Sequence, residues 1–181
     1  MDIEADLKAF CERAIKMGAS NAKAIKASDI FVAEWVRLKC QYGCDGWGKC
    51  LTCPPHSPSP ETTRRILSAY EWAILVHVAK HNSNDWKSIR QIIPKLEREI
   101  FLRGYYAAFG FASGPCYLCE GECTMKECKH PEEARPSMEA AGINVYATVR
   151  KAGFPIKVVT KDSDPQNYYG VVLVNTKDEA M

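Results

Sequence analysis

The spacing of hydrophobic positions changes along the chain between helical and strand-like, and it predicts a protein that contains both kinds of element. At the N-terminus, Ile3, Leu7, Phe10 and Ala14 recur three or four positions apart, and this spacing predicts a helix over residues 3–17. Further along, short apolar runs bounded by polar or turn residues favour strands. The elements therefore interleave rather than separate into a helical half and a strand half.

Capping residues and apolar runs place the remaining predicted elements. Helices are predicted at residues 60–70, 85–103, 136–141 and 144–152. The first of these has Ser59 as its N-cap and Pro60 in its first turn, and Pro94 should kink or split the second. Candidate strands lie at residues 22–28, 30–38, 72–79, 105–111, 156–160 and 168–175. For residues 30–38 a helix is the alternative.

These elements predict an α/β protein of the α+β kind, with a single mixed sheet of about five strands flanked by four or five helices. The chain has 181 residues, of which 46% are hydrophobic and 25% charged, as in an ordinary globular protein. A single domain over residues 1–181 is therefore expected.

Charge and hydropathy restrict the expected partners and location. The formal net charge is only +2, which gives no electrostatic reason to expect nucleic acid or an anionic membrane as a partner. The first residues are acidic and lack the apolar segment of a signal peptide. The longest apolar run, Trp72 to Val76, is too short to cross a bilayer. A cytoplasmic location is therefore expected.

Cysteine is the residue type that points to a specific chemistry. The chain has nine cysteines, an odd number that excludes complete internal pairing as disulfides. In a reducing compartment, closely spaced thiols are more often metal ligands or catalytic groups than disulfide partners. Cys11 lies on the apolar stripe of the first helix and is expected in the core. The other eight cysteines form two quartets.

The first cysteine loop, residues 37–60, holds Cys40, Cys44, Cys50 and Cys53 in the pattern C-x3-C-x5-C-x2-C-P-P. Soft thiolates at such short spacing select iron–sulfur clusters or zinc. Zinc sites usually show two separated C-x2-C pairs, so the compact, irregular spacing favours a cluster. Proline directly after the last cysteine is also common where a cluster loop ends. Unliganded cysteines in a turn are the alternative.

The second cysteine loop, residues 113–136, holds Cys116, Cys119, Cys123 and Cys128. The pattern C-x2-C-x3-C-x4-C is similar to the ligand runs of low-potential clusters, and all four thiolates can reach one cubane. A zinc knuckle with His130 as a substitute ligand is the alternative reading. Neither loop has apolar periodicity of its own, so folding of both should depend on the bound centre.

The two loops together resemble an uncharacterised prokaryotic family of predicted metal-binding proteins, whose members are widespread in anaerobic bacteria and methanogenic archaea. The resemblance covers roughly residues 30 to 175. It is carried by Arg37-Leu38-Lys39-Cys40, Cys44, Cys53-Pro54-Pro55, Gly114-Pro115-Cys116, Cys119, Cys123, Cys128 and His130 through Ala140. The resemblance implies metal or cluster binding in an anaerobic setting and supplies no substrate. Cys40, Cys44 and Cys53 match the family pattern more firmly than Cys50 does.

The sequence therefore predicts a protein with two [4Fe–4S] clusters, one on each quartet, acting in electron transfer or as a redox enzyme or accessory protein of anaerobic metabolism. A redox partner protein is expected, and a homodimer is an alternative arrangement. Two other hypotheses stay open. One is a zinc-binding interaction module. The other is an enzyme in which Cys50 is not a ligand, so that the first cluster has an open iron.

Overall fold

The computed structural model describes residues 3–79, 85–161 and 163–175, and for residues 85–87 it describes the backbone only. The described chain contains one four-stranded antiparallel sheet in the order β1-β2-β4-β3. The strands are β1 (Asn21–Lys26), β2 (Trp72–Ala79), β3 (Phe109–Phe111) and β4 (Asn167–Val174). The helices are α1 (Ile3–Lys16), α2 (Glu34–Gly43), α3 (Pro60–Leu67), α4 (Asp85–Leu102) and α5 (Val145–Ala152), with 3₁₀ turns at Ala27–Asp29 and Glu139–Ala141.

Both faces of the sheet are covered, which explains why its two central strands read as continuous apolar runs. On one face, Ile74 and Val172 pack with buried side chains of α1 and α4. On the other face, Leu75 and Val171 pack with α5 and with the chain around Met138. A strand buried on both sides needs no polar alternation, so β2 and β4 are almost entirely apolar.

Glycine allows α4 to lie close to the sheet. A Cβ atom placed on Gly170 of β4 would lie 2.7 Å from Cγ1 of Ile93, and one on Gly110 of β3 would also clash with Ile93. The buried helix therefore occupies the space that side chains would take at these two positions. This contact sets the position of α4, which anchors the second cysteine loop as described below.

The predicted α+β class is confirmed, and so are several individual elements. The predicted helix at 3–17 corresponds to α1 and the strand at 72–79 to β2. Ser59 caps α3 as expected, because its Oγ accepts the Thr62 N–H at 3.1 Å. The sheet differs from the prediction in two respects, since the described strands number four rather than about five and every pairing is antiparallel rather than mixed.

The strand predicted at 30–38 is wrong, because residues 34–43 form α2. The apolar side chains that suggested a strand differ in how deeply they are buried. Val36 is buried, whereas Trp35 and Leu38 are about half exposed. A β-propensity reading assumes burial on a pleated surface, and tertiary packing of the helix overrides it here. As a consequence, Cys40 lies on a helix rather than in a loop.

Three other predictions are corrected. Residues 156–160 form no strand, and Val158 is 65% exposed there. The strand predicted at 105–111 is limited to β3. Pro94 does not split α4, which is continuous through it. The packing of α4 on the sheet, together with its contacts to α1, offsets the hydrogen bond that proline removes.

Candidate metal centre

Arg37 holds the two ends of the first cysteine loop together. Its Nη1 donates to Ala140 O at 2.6 Å, to Ser57 Oγ at 3.0 Å and to Pro58 O at 3.2 Å. The guanidinium also lies over the ring of Trp47, 5.9 Å from its centroid. One helical side chain therefore joins α2, the end of the loop and the 3₁₀ turn Glu139–Ala141.

Arg90 of α4 has the corresponding role at the start of the second cysteine loop. Its Nη1 donates to Gly114 O at 2.6 Å and to Ser113 O at 2.9 Å. Burial lowers the pKa of Arg90, and the neighbouring Cys116 and Cys53 sulfurs oppose that shift when they are thiolates. Arg90 thus places a partly buried positive charge between the two cysteine loops, where it favours anionic sulfur.

A buried ion pair closes the second cysteine loop at its far end. Arg135 donates from Nε and Nη2 to the two carboxylate oxygens of Glu97, both at 2.6 Å. The exposed fractions of the two side chains are 14% and 12%. Glu97 also accepts the N–H of Gly110 at 2.7 Å, and Arg135 donates to Pro131 O at 3.0 Å. The pair therefore fixes the loop to α4 and to β3.

Three cysteines of the first loop face one cavity, and they are called the first thiol group below: Cys40, Cys44 and Cys53. Gly46 lies against them. A Cβ atom at Gly46 would lie 3.4 Å from Cys53 Sγ, 3.5 Å from Cys44 Sγ and 3.3 Å from Pro115 Cβ. The N–H of Gly46 points to Cys44 Sγ at 3.4 Å. Gly46 thus forms a backbone cradle beside two thiols, of the kind that brings N–H groups to cluster sulfur.

The fourth cysteine of the first loop belongs to a different group. Cys50 lines a small cavity of about 100 Å³ together with all four cysteines of the second loop. Its Sγ lies 3.7 Å from Cys116 O. The second thiol group, as the name is used below, consists of Cys50, Cys116, Cys119, Cys123 and Cys128. Of the eight predicted ligands, three therefore line the larger cavity and five line the smaller one, and the assignment of four to each cluster stays a prediction.

Burial and neighbouring sulfur charges raise the pKa of three cysteines of the first loop. Burial, followed by the charges of Cys53, Cys123 and Cys116, raises the pKa of Cys50 to about 11. Burial and the charge of Cys44 also raise the pKa of Cys40 and of Cys53. Because metals bind thiolates, loading either centre must release the thiol protons.

The two thiol groups adjoin each other. Cys50 and Cys53 are three positions apart in one turn, where the N–H of Cys53 donates to Cys50 O at 3.0 Å. Despite this proximity, Cys53 lines the larger cavity and Cys50 the smaller. Across the described residues, no three His, Cys, Asp or Glu side chains converge on a point where a single metal ion would sit.

Glu139 is a residue of this site that the sequence did not indicate as a candidate ligand or acid. It lines the larger cavity with the first thiol group. Its Oε2 is buried and has no hydrogen-bond partner, and Cys40 Sγ lies 3.8 Å from its carbonyl oxygen. Burial raises the pKa of Glu139, against a smaller opposing effect of Ser137. A buried polar atom without a partner often marks the place of a missing ion or ligand.

His77 lies behind the wall of the larger cavity and gives the fold a predicted acid sensitivity. Its ring stacks on Tyr169, with centroids 4.8 Å apart, and its Nε2 lies 2.7 Å from Asn167 Oδ1. Burial lowers the pKa of His77, and the bond to Asn167 opposes that shift. Because the unfolded-state pKa is about 6.5, the neutral ring stabilises the fold above that pH. The contribution is lost as pH falls through the lower folded-state pKa.

We therefore expect the free energy of unfolding in urea to fall between pH 7 and pH 5, and the His77→Gln variant to show a weaker dependence over that range. Glutamine keeps a hydrogen-bonding group for Asn167 but cannot be protonated. The measurement is a series of urea titrations at fixed ionic strength. An equal acid dependence in the variant would show that other groups cause it.

The donor set and its surroundings fit a metal centre. Both groups consist of soft sulfur atoms, Gly46 forms a cradle beside two of them, and Glu139, whose buried Oε2 has no partner, belongs to the wall of the same cavity. Fold and site together define an α+β protein that presents two adjacent groups of cysteine thiols on α2 and two connecting segments. Residues 23–174 match the family model described as predicted metal-binding protein (DUF2284), and the chain belongs to that family. This confirms the resemblance stated above.

The other comparisons add no relative. No curated protein and no solved structure matches the chain significantly. Among the described residues, no helix combines the length and the apolar character needed to cross a membrane.

Proposed function

We propose that this metal-binding protein carries two [4Fe–4S] clusters and acts in electron transfer, or as a redox accessory protein, in a reducing cytoplasm. The observation that carries the proposal is that eight thiols from α2 and two connecting segments lie in two adjacent groups. The nine cysteines are all unpaired in the structure, in keeping with a reducing compartment. Clusters of this type exchange single electrons, and two neighbouring centres suit a relay to a redox partner protein.

The ligands follow from the two thiol groups. The first cluster is assigned to Cys40, Cys44 and Cys53, and the second to four of the five cysteines of the second thiol group. In this assignment Cys50 moves to the second group or is left free. Arg90 contributes a partly buried positive charge near both groups, and the Gly46 N–H reaches a sulfur of the first. Nearby cations and N–H groups stabilise the reduced, more negative state of a cluster and raise its potential.

The test is the content of iron, zinc and acid-labile sulfide in protein purified without oxygen. Two cubanes require about eight iron and eight sulfide per chain. Reversible bleaching of the visible absorption by dithionite and electron paramagnetic resonance of the reduced protein should accompany them. About two zinc ions and no sulfide would refute the proposal and establish a zinc-stabilised binding module in its place.

The division of the thiols also favours a second candidate function, which is an enzyme with an open iron on the first cluster. Three thiolates satisfy three irons of a cubane and leave the fourth without a protein sulfur. An iron of this kind acts as a Lewis acid toward a bound molecule. Which molecules could reach it depends on the cavity that the first thiol group lines.

A further inference from the structure

Helix α2 carries a stripe of large apolar side chains on its outer face. Trp35, Leu38 and Tyr42 lie three and four positions apart along the helix, so they share one face. Their exposed fractions are 49%, 55% and 80%. Val36, the buried residue of α2, turns away from this face. Contiguous exposed apolar surface of this kind marks a site that another protein covers.

The stripe is large enough to form the centre of an interface. An aromatic side chain can bury about 150–250 Å², so the exposed parts of these three side chains amount to roughly 300–400 Å². Val159, which lines the larger cavity together with Trp35, is 44% exposed and adds to this surface. A standard interface buries about 800 Å² on each partner, of which a little over half is apolar. The stripe therefore supplies most of the apolar part of such an interface.

The charged residues beside the stripe fit a second copy of α2 that runs parallel to the first. In a parallel helix pair, the first and fourth positions of a seven-residue repeat form the seam, and the positions that flank the seam exchange ion pairs. Trp35 and Tyr42 occupy the first position and Leu38 the fourth. Glu34 directly precedes Trp35, and Lys39 directly follows Leu38. The Glu34 of one copy would therefore lie beside the Lys39 of the other.

Both charged side chains are placed for this contact. Arg64 holds Glu34 through a bond of 2.8 Å from Nη1 to Oε1, yet Glu34 remains 68% exposed. Lys39 is exposed as well. An antiparallel pair would instead bring each of these charges toward its own counterpart, and like charges repel. The stripe and its flanking charges are thus self-complementary in the parallel arrangement, as the interface of a twofold-symmetric dimer must be.

We propose that the protein forms a parallel, twofold-symmetric dimer in which the α2 helices of two copies pack together along Trp35, Leu38 and Tyr42. Two ion pairs flank this seam, each between Glu34 and Lys39 of the partner subunit. Trp35 and Lys39 also line the larger cavity, so the second copy would cover that edge and restrict access to the first thiol group. The dimer follows from the outer face of α2 and does not depend on which metal the thiols bind.

Sedimentation velocity of the full chain, purified without oxygen, measures the association. Between about 1 and 100 μM protein, the mean mass should rise toward that of two chains, because an interface of this size supports a reversible dimer. Raising the salt from about 0.05 to 0.5 M should weaken the dimer severalfold, because the ion pairs are exposed. A chain that stays monomeric would overturn the proposal, and a dimer that salt strengthens would overturn its parallel arrangement.

Leu38→Glu tests the seam. It places two like charges opposite each other and should weaken the dimer roughly a hundredfold. Leu102→Glu is the matched control, because Leu102 ends α4 and is 56% exposed, close to the 55% of Leu38. The control should associate as tightly as the natural chain. Equal weakening by the two substitutions would overturn the assignment of the interface to α2.

A mixture of two charge-reversed variants tests the ion pairs. Lys39→Glu alone and Glu34→Lys alone each place like charges at both pairs, and each should weaken the dimer about tenfold. In a dimer of one variant with the other, an acid again faces a base at both pairs, so the mixture should regain most of the affinity. That recovery also requires both variants to be folded. A mixture that associates no better than either variant would overturn the pairing of Glu34 with Lys39.

The metal analysis described above separates this proposal from the cluster proposal. Zinc in place of iron, with the dimer intact and sensitive to Leu38→Glu, would refute the clusters and support the dimer. Two clusters in a chain that stays monomeric would support the clusters and overturn the dimer.

Discussion

A Cys53→Ala variant should lose about half of the bound iron, roughly four of eight atoms if both centres are cubanes. Cys53 is one of only three sulfurs in the first thiol group, and two thiolates are too few to retain a cluster. Iron and sulfide analysis, with the resonance spectrum of the reduced protein, measures the loss. The signal that remains should be that of the second centre.

Cys50→Ala is the matched variant, because it removes a neighbouring cysteine of the same loop. Cys50 lies with the four cysteines of the second loop, and its removal leaves four sulfurs there. We therefore expect this variant to keep nearly all of its iron. Equal loss of iron from the two variants, with the first centre absent in both, would instead return Cys50 to the first cluster.

Cys11 controls for general effects of removing a cysteine. Its side chain packs against the core formed by α1 and the sheet and lies in neither thiol group. Cys11→Ala should bind as much iron as the natural chain. A change in iron content here would mean that altered packing, rather than lost ligation, explains the other two variants.

Replacing Arg135 with methionine should lower the free energy of unfolding by about 3–5 kcal/mol, because it leaves the Glu97 carboxylate buried without its partner. The Arg135→Met/Glu97→Gln double variant should recover most of this loss. The amide oxygen of the glutamine that replaces Glu97 still accepts the Gly110 N–H, and this side chain buries no charge. Urea titration under anaerobic conditions measures both variants, and equal destabilisation of single and double variants would contradict the argument.

The exposed pair of Arg13 and Glu99 is the natural control. Its geometry is similar, with contacts of 2.6 and 2.7 Å, but the side chains are 49% and 37% exposed. Water screens such a pair, so Arg13→Met should cost at most about 1 kcal/mol. A comparable cost for the two arginines would show that burial is not the source of the effect.

Arg135→Met should also release iron from the second centre, because the arginine holds that loop.

The sequence was sufficient for the parts of the fold in which local pattern and tertiary environment agree. The stripe of α1 and the apolar run of β2 could both be predicted. α2 could not, because its apolar side chains are divided between the core and the surface. The strand expected at 156–160 failed since no neighbouring strand pairs with it in the described sheet.

The same limit of sequence-based prediction applies to the candidate metal site. Residue spacing assigned Cys50 to the first quartet, and this assignment stays a prediction, whereas the structure places Cys50 in the wall of the smaller cavity with the cysteines of the second loop. Glu139 carries no local signature, because it gains its position only when the 3₁₀ turn packs against α2. Spacing predicts which residues bind metal, and packing decides which of them share a centre.

The single turn that contains Cys50 and Cys53 has a consequence for how the protein is assembled and damaged. In the proposed two-cluster protein, one side chain of this turn lies with each centre, so loss of one centre would loosen the cysteine that the turn presents to the other. The second centre keeps four other cysteines without Cys50, whereas the first keeps only two without Cys53. Oxygen attack on the second centre should therefore spread to the first, whereas attack on the first should leave the second in place.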